Sequence, residues 1–250
     1  DLDRPLVEYL GEPYLPEEES HKKITARMVL DHTSGLPNWR DGGWSAGGPL
    51  AMKFEPGTKF GYSGEGFWYL QQVVEKLTGE PMETWMERTV LQPLGMTHSS
   101  YKWRDDYLQS AASGHDADGK VKTTGKRMSR ANAAFTLFTT PSDYSQVLIA
   151  MMPDESTQPK IVTRKSLEAM LKPTTKTDKP NVWRGLGWAI TKTDDGFFAW
   201  HNGSNGTGFE CISRFNPATG DGIVVMTNGT GGRKVWEKLV EAVYEADVSN

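Results

Sequence analysis

The chain has 250 residues, a formal net charge of −4, 37% hydrophobic residues, 26 glycines and a single cysteine. That length suits one large domain or two lobes on a shared core, and the mild acidity excludes a nucleic-acid surface built on net positive charge. No apolar run approaches the roughly 20 residues that cross a bilayer as a helix, no signal-peptide pattern opens the chain, and one cysteine excludes an internal disulfide.

The opening "DLDRPLVEYL" reads as a connector ending in a short helix. In "KITARMVLDHTSGL", Thr25 is the expected N-cap of a helix carrying Met28, Val29 and Leu30, and Gly35 is its expected stop. Residues 37–59, rich in Gly, Pro and Trp, predict a long ordered loop. A helix over 65–78 follows, with Phe67, Leu70, Val73, Val74 and Leu77 on one face and Gly79 and Pro81 ending it, then a second over 81–89. Residues 102–130 are polar and glycine-punctuated, and Asp116-Ala117-Asp118-Gly119 reads as a turn, too short for a calcium loop. "TPSDYSQVLIAMM" and "TRKSLEAML" each begin with a capping residue and predict helices.

In the last third the period changes. Leu186, Trp188 and Ile190 alternate, Thr193-Asp194-Asp195-Gly196 is a turn, and Phe197–His201 is a second strand. "GFECISRF" and "GIVVMTN" add two more, and Arg233–Val248 closes as a helix with Val235, Leu239, Val243 and Ala246 in register. The expectation is an α+β fold of one domain over 1–250. A mainly helical lobe would occupy about 24–172, and an antiparallel sheet flanked by helices, with the C-terminal helix, about 183–250.

Five strings go further: "ITARMVLDHTSGL", "FEPGTKFGYSGEGFWYLQQVVEKLTG", "VLQPLGMTHSSY", "TLFTTPSDY" and "HNGSNGTGF…GIVVMTNG", in this order. Together they resemble the serine β-lactamase-like family, which includes class C β-lactamases, DD-peptidases and related esterases, over nearly the whole chain. The resemblance implies hydrolysis of amides or esters through an acyl-serine, using a Ser-x-x-Lys nucleophile, a Tyr-x-Asn element and a Lys-Thr-Gly or His-x-Gly strand. Tyr62-Ser63-Gly64 takes the second place, with Gly64 where Asn is usual, and His201-Asn202-Gly203 takes the third. By that resemblance Tyr62 and His201 are catalytic, Asn202 and Gly203 line the substrate, and the Ser204 N–H points into the oxyanion hole. Gly203 would let a substrate lie close against the strand. The resemblance implies a small-molecule or peptide substrate, no cofactor and no metal, and leans towards a bacterial envelope or secreted setting. The family's Ser-x-x-Lys helix and first strands precede the "LDRP" connector, so the resemblance also implies an N-terminally truncated chain. Its uncovered surface would be met by self-association, a partner or a further segment.

The chemistry explains these residue types. A tyrosine acting as a base near neutrality needs its pKa lowered by roughly three, worth about 4 kcal/mol, and only nearby positive charge can do this, because burial raises it. With His201 in the strand position, that charge is expected to be partial at neutral pH. The formal match Ser20-His21-Lys22-Lys23 reads as a charged, solvated loop, Ser34 as a turn residue and Ser63 as a helix cap. His21, His32, His98, His115 and His201 lack the spacing of a zinc site. Cys211, in an alternating run, reads as a buried inert thiol. Asn202, Asn205 and Asn228 head sequons that matter only in a glycosylating host. Two functional readings stand: a serine hydrolase whose nucleophile lies upstream, and a non-catalytic binding module that keeps the groove, which Gly64 favours.

Overall fold

Hydroxyl caps begin four of the helices. Thr25, Thr140 and Thr163 each accept a backbone N–H three residues on, opening α2 (Ala26–Leu30), α5 (Pro141–Met151) and α6 (Arg164–Leu171). Ser63 does the same for α3 (Gly64–Thr78). The computed structural model describes residues 1–15, 19–45, 47–123, 128–152, 161–194, 196–204 and 206–245. Its other helices are α1 (Leu6–Leu10), α4 (Met82–Met86), continued by a π-helical turn to Leu91, and α7 (Gly232–Glu245). None of the described helices is long and apolar enough to cross a membrane.

Helix α2 stops at Leu30, five residues before the expected Gly35. Its end is a Schellman turn, with the Thr33 N–H on the Met28 carbonyl at 2.7 Å and the His32 N–H on Val29 at 3.2 Å. The left-handed position, usually glycine, is His32 at φ 60°. On α3 the inward face is also displaced from the expected one: Tyr69 and Val73 are buried with Glu65 and Trp68, whereas Leu77 is 60% exposed. The apolar spacing admitted both faces, and α1 and α2 select the one carrying Tyr69, which packs with Leu6, Ile24, Val29 and Leu36.

Residues 37–59 form the expected loop without helix or strand among those described. The 102–130 region holds a short hairpin that was not anticipated, β1 (Gly114–His115) and β2 (Val121–Thr123). The expected turn lies within it, Asp116 Oδ1 accepting the N–H groups of Asp118 and Lys120.

The main sheet is an antiparallel meander in chain order, β3 (Thr175–Lys176), β4 (Val182–Arg184), β5 (Ala189–Thr193), β6 (Gly196–Ser204), β7 (Glu210–Asn216) and β8 (Asp221–Thr227). Strands β3 and β4 were not anticipated, being too short to show alternation. Leu186 and Trp188 are buried but belong to the β4–β5 turn, where Gly187 has φ 84°. Helices α5 and α6 lay Leu148, Met151, Leu167 and Leu171 on Ile190, Ala199 and Phe215 of the sheet and on Trp188 of the turn.

Helix α7 contacts β7 and β8 through a different stripe from the expected one. Trp236 is buried, while Val235, Leu239 and Val243 are 52%, 44% and 47% exposed. The helix carries apolar residues on two adjacent stripes, and the sheet takes the one holding Trp236. Ala246 to Val248 lie outside the described residues.

The helical part and the sheet are joined near the end of α2. Asp31 Oδ2 accepts the Thr175 hydroxyl at 3.0 Å, and the Leu30 carbonyl accepts the Gly187 N–H at 2.8 Å. This junction places the loop before α3 against β4 and β6.

Candidate active site

Tyr62 leaves the long loop one residue before the cap of α3, and the segment around it is clamped by that loop. The Ser63 hydroxyl donates to the Pro37 carbonyl at 2.8 Å while accepting the Gly66 N–H at 2.9 Å. Asn38 accepts the Gly64 N–H through Oδ1 at 3.0 Å and the Glu65 N–H through its carbonyl at 2.8 Å. Aromatic rings press on the two flanking glycines. A Cβ on Gly61 would lie 2.5 Å from the Phe54 ring, and one on Gly64 2.5 Å from the Trp39 ring.

Beneath this clamp lies a buried charge pair. Glu65 is fully buried and accepts hydrogen bonds from Arg40 Nε at 2.9 Å, from Arg40 Nη2, and from the Tyr14 hydroxyl at 2.5 Å. Arg40 also donates to Tyr14 at 2.9 Å, and Tyr14 stacks on Tyr69 with ring centroids 4.1 Å apart. The network ties the loop and the α1 end of the chain to the first turn of α3.

The structure brings Tyr62 and His201 together. Their ring centroids are 6.4 Å apart, His201 coming from the middle of β6. The next three residues pair along β7 in the order Asn202–Ile212, Gly203–Cys211 and Ser204–Glu210. Asn202 and Ser204 are exposed, and a Cβ on Gly203 would sit 3.1 Å from Cys211 Sγ. Burial pushes the Cys211 thiol up, consistent with an unreactive packing role.

Two further residues complete the site. Arg184, the last residue of β4, places its guanidinium carbon 5.6 Å from the Tyr62 ring centroid and 5.4 Å from that of Phe60. His32 lies on the other side, its ring 4.3 Å from Tyr62, with Nδ1 accepting the Ser63 N–H at 3.2 Å. That leaves the His32 proton on Nε2.

The electrostatics follow from these neighbours. Burial, then the Arg184 charge, push His201 down to about 4, against a backbone hydrogen bond at Asn202 that raises it. His32 is held lower, at about 3, by burial, Arg184 and His201 in that order. Both rings are therefore neutral at pH 7, which corrects the expectation that His201 carries partial positive charge there. Tyr62 keeps 44% of its surface exposed, yet burial of its packed side raises its pKa, with Arg184 pulling it down. The cation beside Tyr62 is Arg184.

The three serines singled out in the sequence are held by local structure. Ser20 to Lys23 lie in a short 3-10 turn, not in the expected solvated loop, with His21 buried and the lysines paired to Glu19 and Glu55. Ser34 is buried and accepts the Leu36 N–H, and Ser63 is the cap described above. A separate open cavity of about 230 Å³, lined by Trp68, Glu75, Lys102 and Arg130 among others, contains none of the site residues.

The beta-lactamase family profile matches residues 1–247. The chain belongs to the beta-lactamase family. A penicillin-binding protein from Bacillus halodurans superposes with a TM-score of 0.78 at 23% identity, over 98% of this chain and 79% of that one. A class C beta-lactamase gives 0.76 at 22% identity, over 92% of this chain and 70% of the other. The octameric penicillin-binding protein homologue from Pyrococcus abyssi gives 0.73 at 21% identity, over 92% of this chain and 57% of its own length. At these identities the likeness establishes the beta-lactamase fold. Matches to curated relatives span 12% to 30% of those proteins. Membership also places the chain in a serine hydrolase family.

Against the beta-lactamase pattern, two residues of the site lay beyond sequence reasoning. Arg184 sits on a three-residue strand with no periodic signal. His32 belongs to the "HTSGL" string, but its left-handed backbone could not be anticipated at a non-glycine position.

Proposed function

We propose that this chain is the larger part of a serine hydrolase acting on amide or ester bonds, with the nucleophilic serine supplied by a segment preceding Asp1. The observation that carries the reading is the approach of Tyr62 to His201, 6.4 Å between ring centroids, at the junction of helices and sheet in a beta-lactamase fold. In that reaction Tyr62 accepts the serine hydroxyl proton as the oxygen attacks the substrate carbonyl. The Ser204 N–H faces the developing oxyanion. Tyr62 returns the proton to the leaving amine or alcohol, and water then releases the acyl group from serine. The substrate, a small molecule or peptide, lies along Asn202 and Gly203.

A second reading is a binding module without chemistry. It is favoured by Gly64, where the Trp39 ring fills the space of the usual side chain, and by the neutral His201. The test is the coding sequence upstream of Asp1, followed by expression of the longer protein and labelling with a fluorophosphonate. The hydrolase reading expects an upstream Ser-x-x-Lys, labelling on that serine in the longer protein, and none on residues 1–250 alone. No upstream motif, or no labelling of the longer protein, leaves the binding module.

A further inference from the structure

Arg184 is half-buried at the junction, and its Nε is buried without a hydrogen-bond partner. No carboxylate among the described residues forms an ion pair with it, in contrast to Arg40, which meets Glu65. Arg214 is the informative comparison. Its Nε is also without a partner, but its guanidinium is closed between the Phe198 and Tyr244 rings at 3.3 and 4.0 Å. Arg184 stands farther from its two rings, 5.4 Å from Phe60 and 5.6 Å from Tyr62, and its charge is not screened by them to the same degree.

The groups facing Tyr62 from each element packed on it are His32 at the end of α2, Arg184 on β4 and His201 on β6. Of these only the arginine is charged at neutral pH. We propose that, among the residues of this chain, Arg184 and not His201 supplies the positive charge against which Tyr62 works as a base. Arg184 is thus a positioning residue in the electrostatic sense: it acts on the reacting atoms through the phenol. The inference rests on the assignment of Tyr62 as the base. It implies that the third-motif histidine serves as a neutral wall of the site, and that the charge has moved two strands away in the meander. With the guanidinium carbon 5.6 Å from the ring centroid, its charge changes the pKa of the phenol by about one pH unit.

The experiment reads the phenol directly. A fluorinated tyrosine placed at position 62 of the 250-residue chain brings the titration into a range where the fold persists and gives a ¹⁹F signal for it. Arg184→Gln is expected to raise the Tyr62 midpoint by about one pH unit, Arg184→Lys to restore most of that, and His201→Asn to leave it within a few tenths. A merely structural role for Arg184 would shift unfolding without moving this midpoint, and an unmoved midpoint in a folded Arg184→Gln protein overturns the proposal. Should Arg184→Gln fail to fold, the wild-type midpoint decides: it is expected to rise with added salt as the arginine is screened, and a salt-independent midpoint overturns the proposal equally. The readout needs no turnover. A shifted midpoint with an unreactive longer protein would leave the coupling of Arg184 to Tyr62 but remove its role in a base, along with the hydrolase reading; labelling with an unmoved midpoint would sink Arg184 alone.

Discussion

His32 holds the chain on both sides of Tyr62. Its carbonyl accepts the Gly61 N–H at 2.8 Å, its Nδ1 accepts the Ser63 N–H at 3.2 Å, and its ring lies 4.3 Å from the tyrosine between them. The left-handed backbone at φ 60° is what lets one residue reach both N–H groups. Asparagine tolerates that conformation and carries an acceptor near the position of Nδ1. His32→Asn is therefore expected to keep the Ser63 amide protected from hydrogen exchange, whereas His32→Ala exposes it and destabilises the fold by about 1–3 kcal/mol. Equal exchange in the two variants would remove the histidine from this role.

The same ring makes stability depend on pH. His32 titrates at about 3 and His201 at about 4 in the folded state, against about 6.5 when unfolded. The unfolded chain binds the additional protons first, so both groups favour folding fully above pH 6.5, and that contribution is withdrawn as pH falls toward 3. For His32, which is 2% exposed, the loss is on the order of 4 kcal/mol. Urea midpoints measured from pH 7 to 4 should decline steeply in the wild type and less steeply in His32→Asn.

Glu65→Ala leaves the Arg40 guanidinium facing a buried space without its partner. Breaking a buried pair in this way costs about 3–5 kcal/mol. The loop over residues 37–59 should loosen with it, which limited proteolysis would detect as new cleavage sites between Pro37 and Lys59. Unchanged stability would mean that Tyr14 alone holds Arg40.

In a longer protein that acylates, Tyr62→Phe keeps the ring packing and removes the proton acceptor. Turnover should fall by about 10²–10⁴, with unfolding little changed. Wild-type turnover in that variant would reduce Tyr62 to a packing residue.

The stripe of Val235, Leu239 and Val243 on α7 gives a further test. Replacing all three by lysine in the 250-residue chain should change stability by no more than about 0.5 kcal/mol per site, as at exposed positions, and should weaken any self-association seen by sedimentation. In a protein extended upstream, where more chain is available to cover the stripe, the same substitutions should cost several kcal/mol. Equal effects in both proteins would show that nothing upstream packs there.

What could be read before the structure was the part governed by local rules. Thr25, Thr140, Thr163 and Ser63 announce their helices because a hydroxyl followed by an amphipathic run has few other uses. Strands β6 to β8 announce themselves by length and turn residues. Tyr62 and His201 were paired through the order of the strings around them, since no spacing rule links residues so far apart. Arg184 was out of reach because a strand of three residues has no period to read, and its neighbours are set by the meander. The buried stripe of α7 was misassigned for a related reason: two apolar stripes one residue apart fit the helix equally, and only the sheet decides between them.

The contact between Gly64 and Trp39 also constrains what this sequence can become. With the indole where a Cβ would stand, 2.5 Å away, restoring an asparagine at position 64 in a single step drives its side chain into a ring held edge-to-face against Phe135. The residue that must yield first is the tryptophan, and the lost packing of Trp39→Ala or Trp39→Gly would have to be tolerated before the asparagine could arrive. The two substitutions are thus ordered by sterics, tryptophan before glycine. In this chain a route to asparagine at position 64 therefore runs through a less stable intermediate, and the glycine and the tryptophan can be exchanged only as a pair.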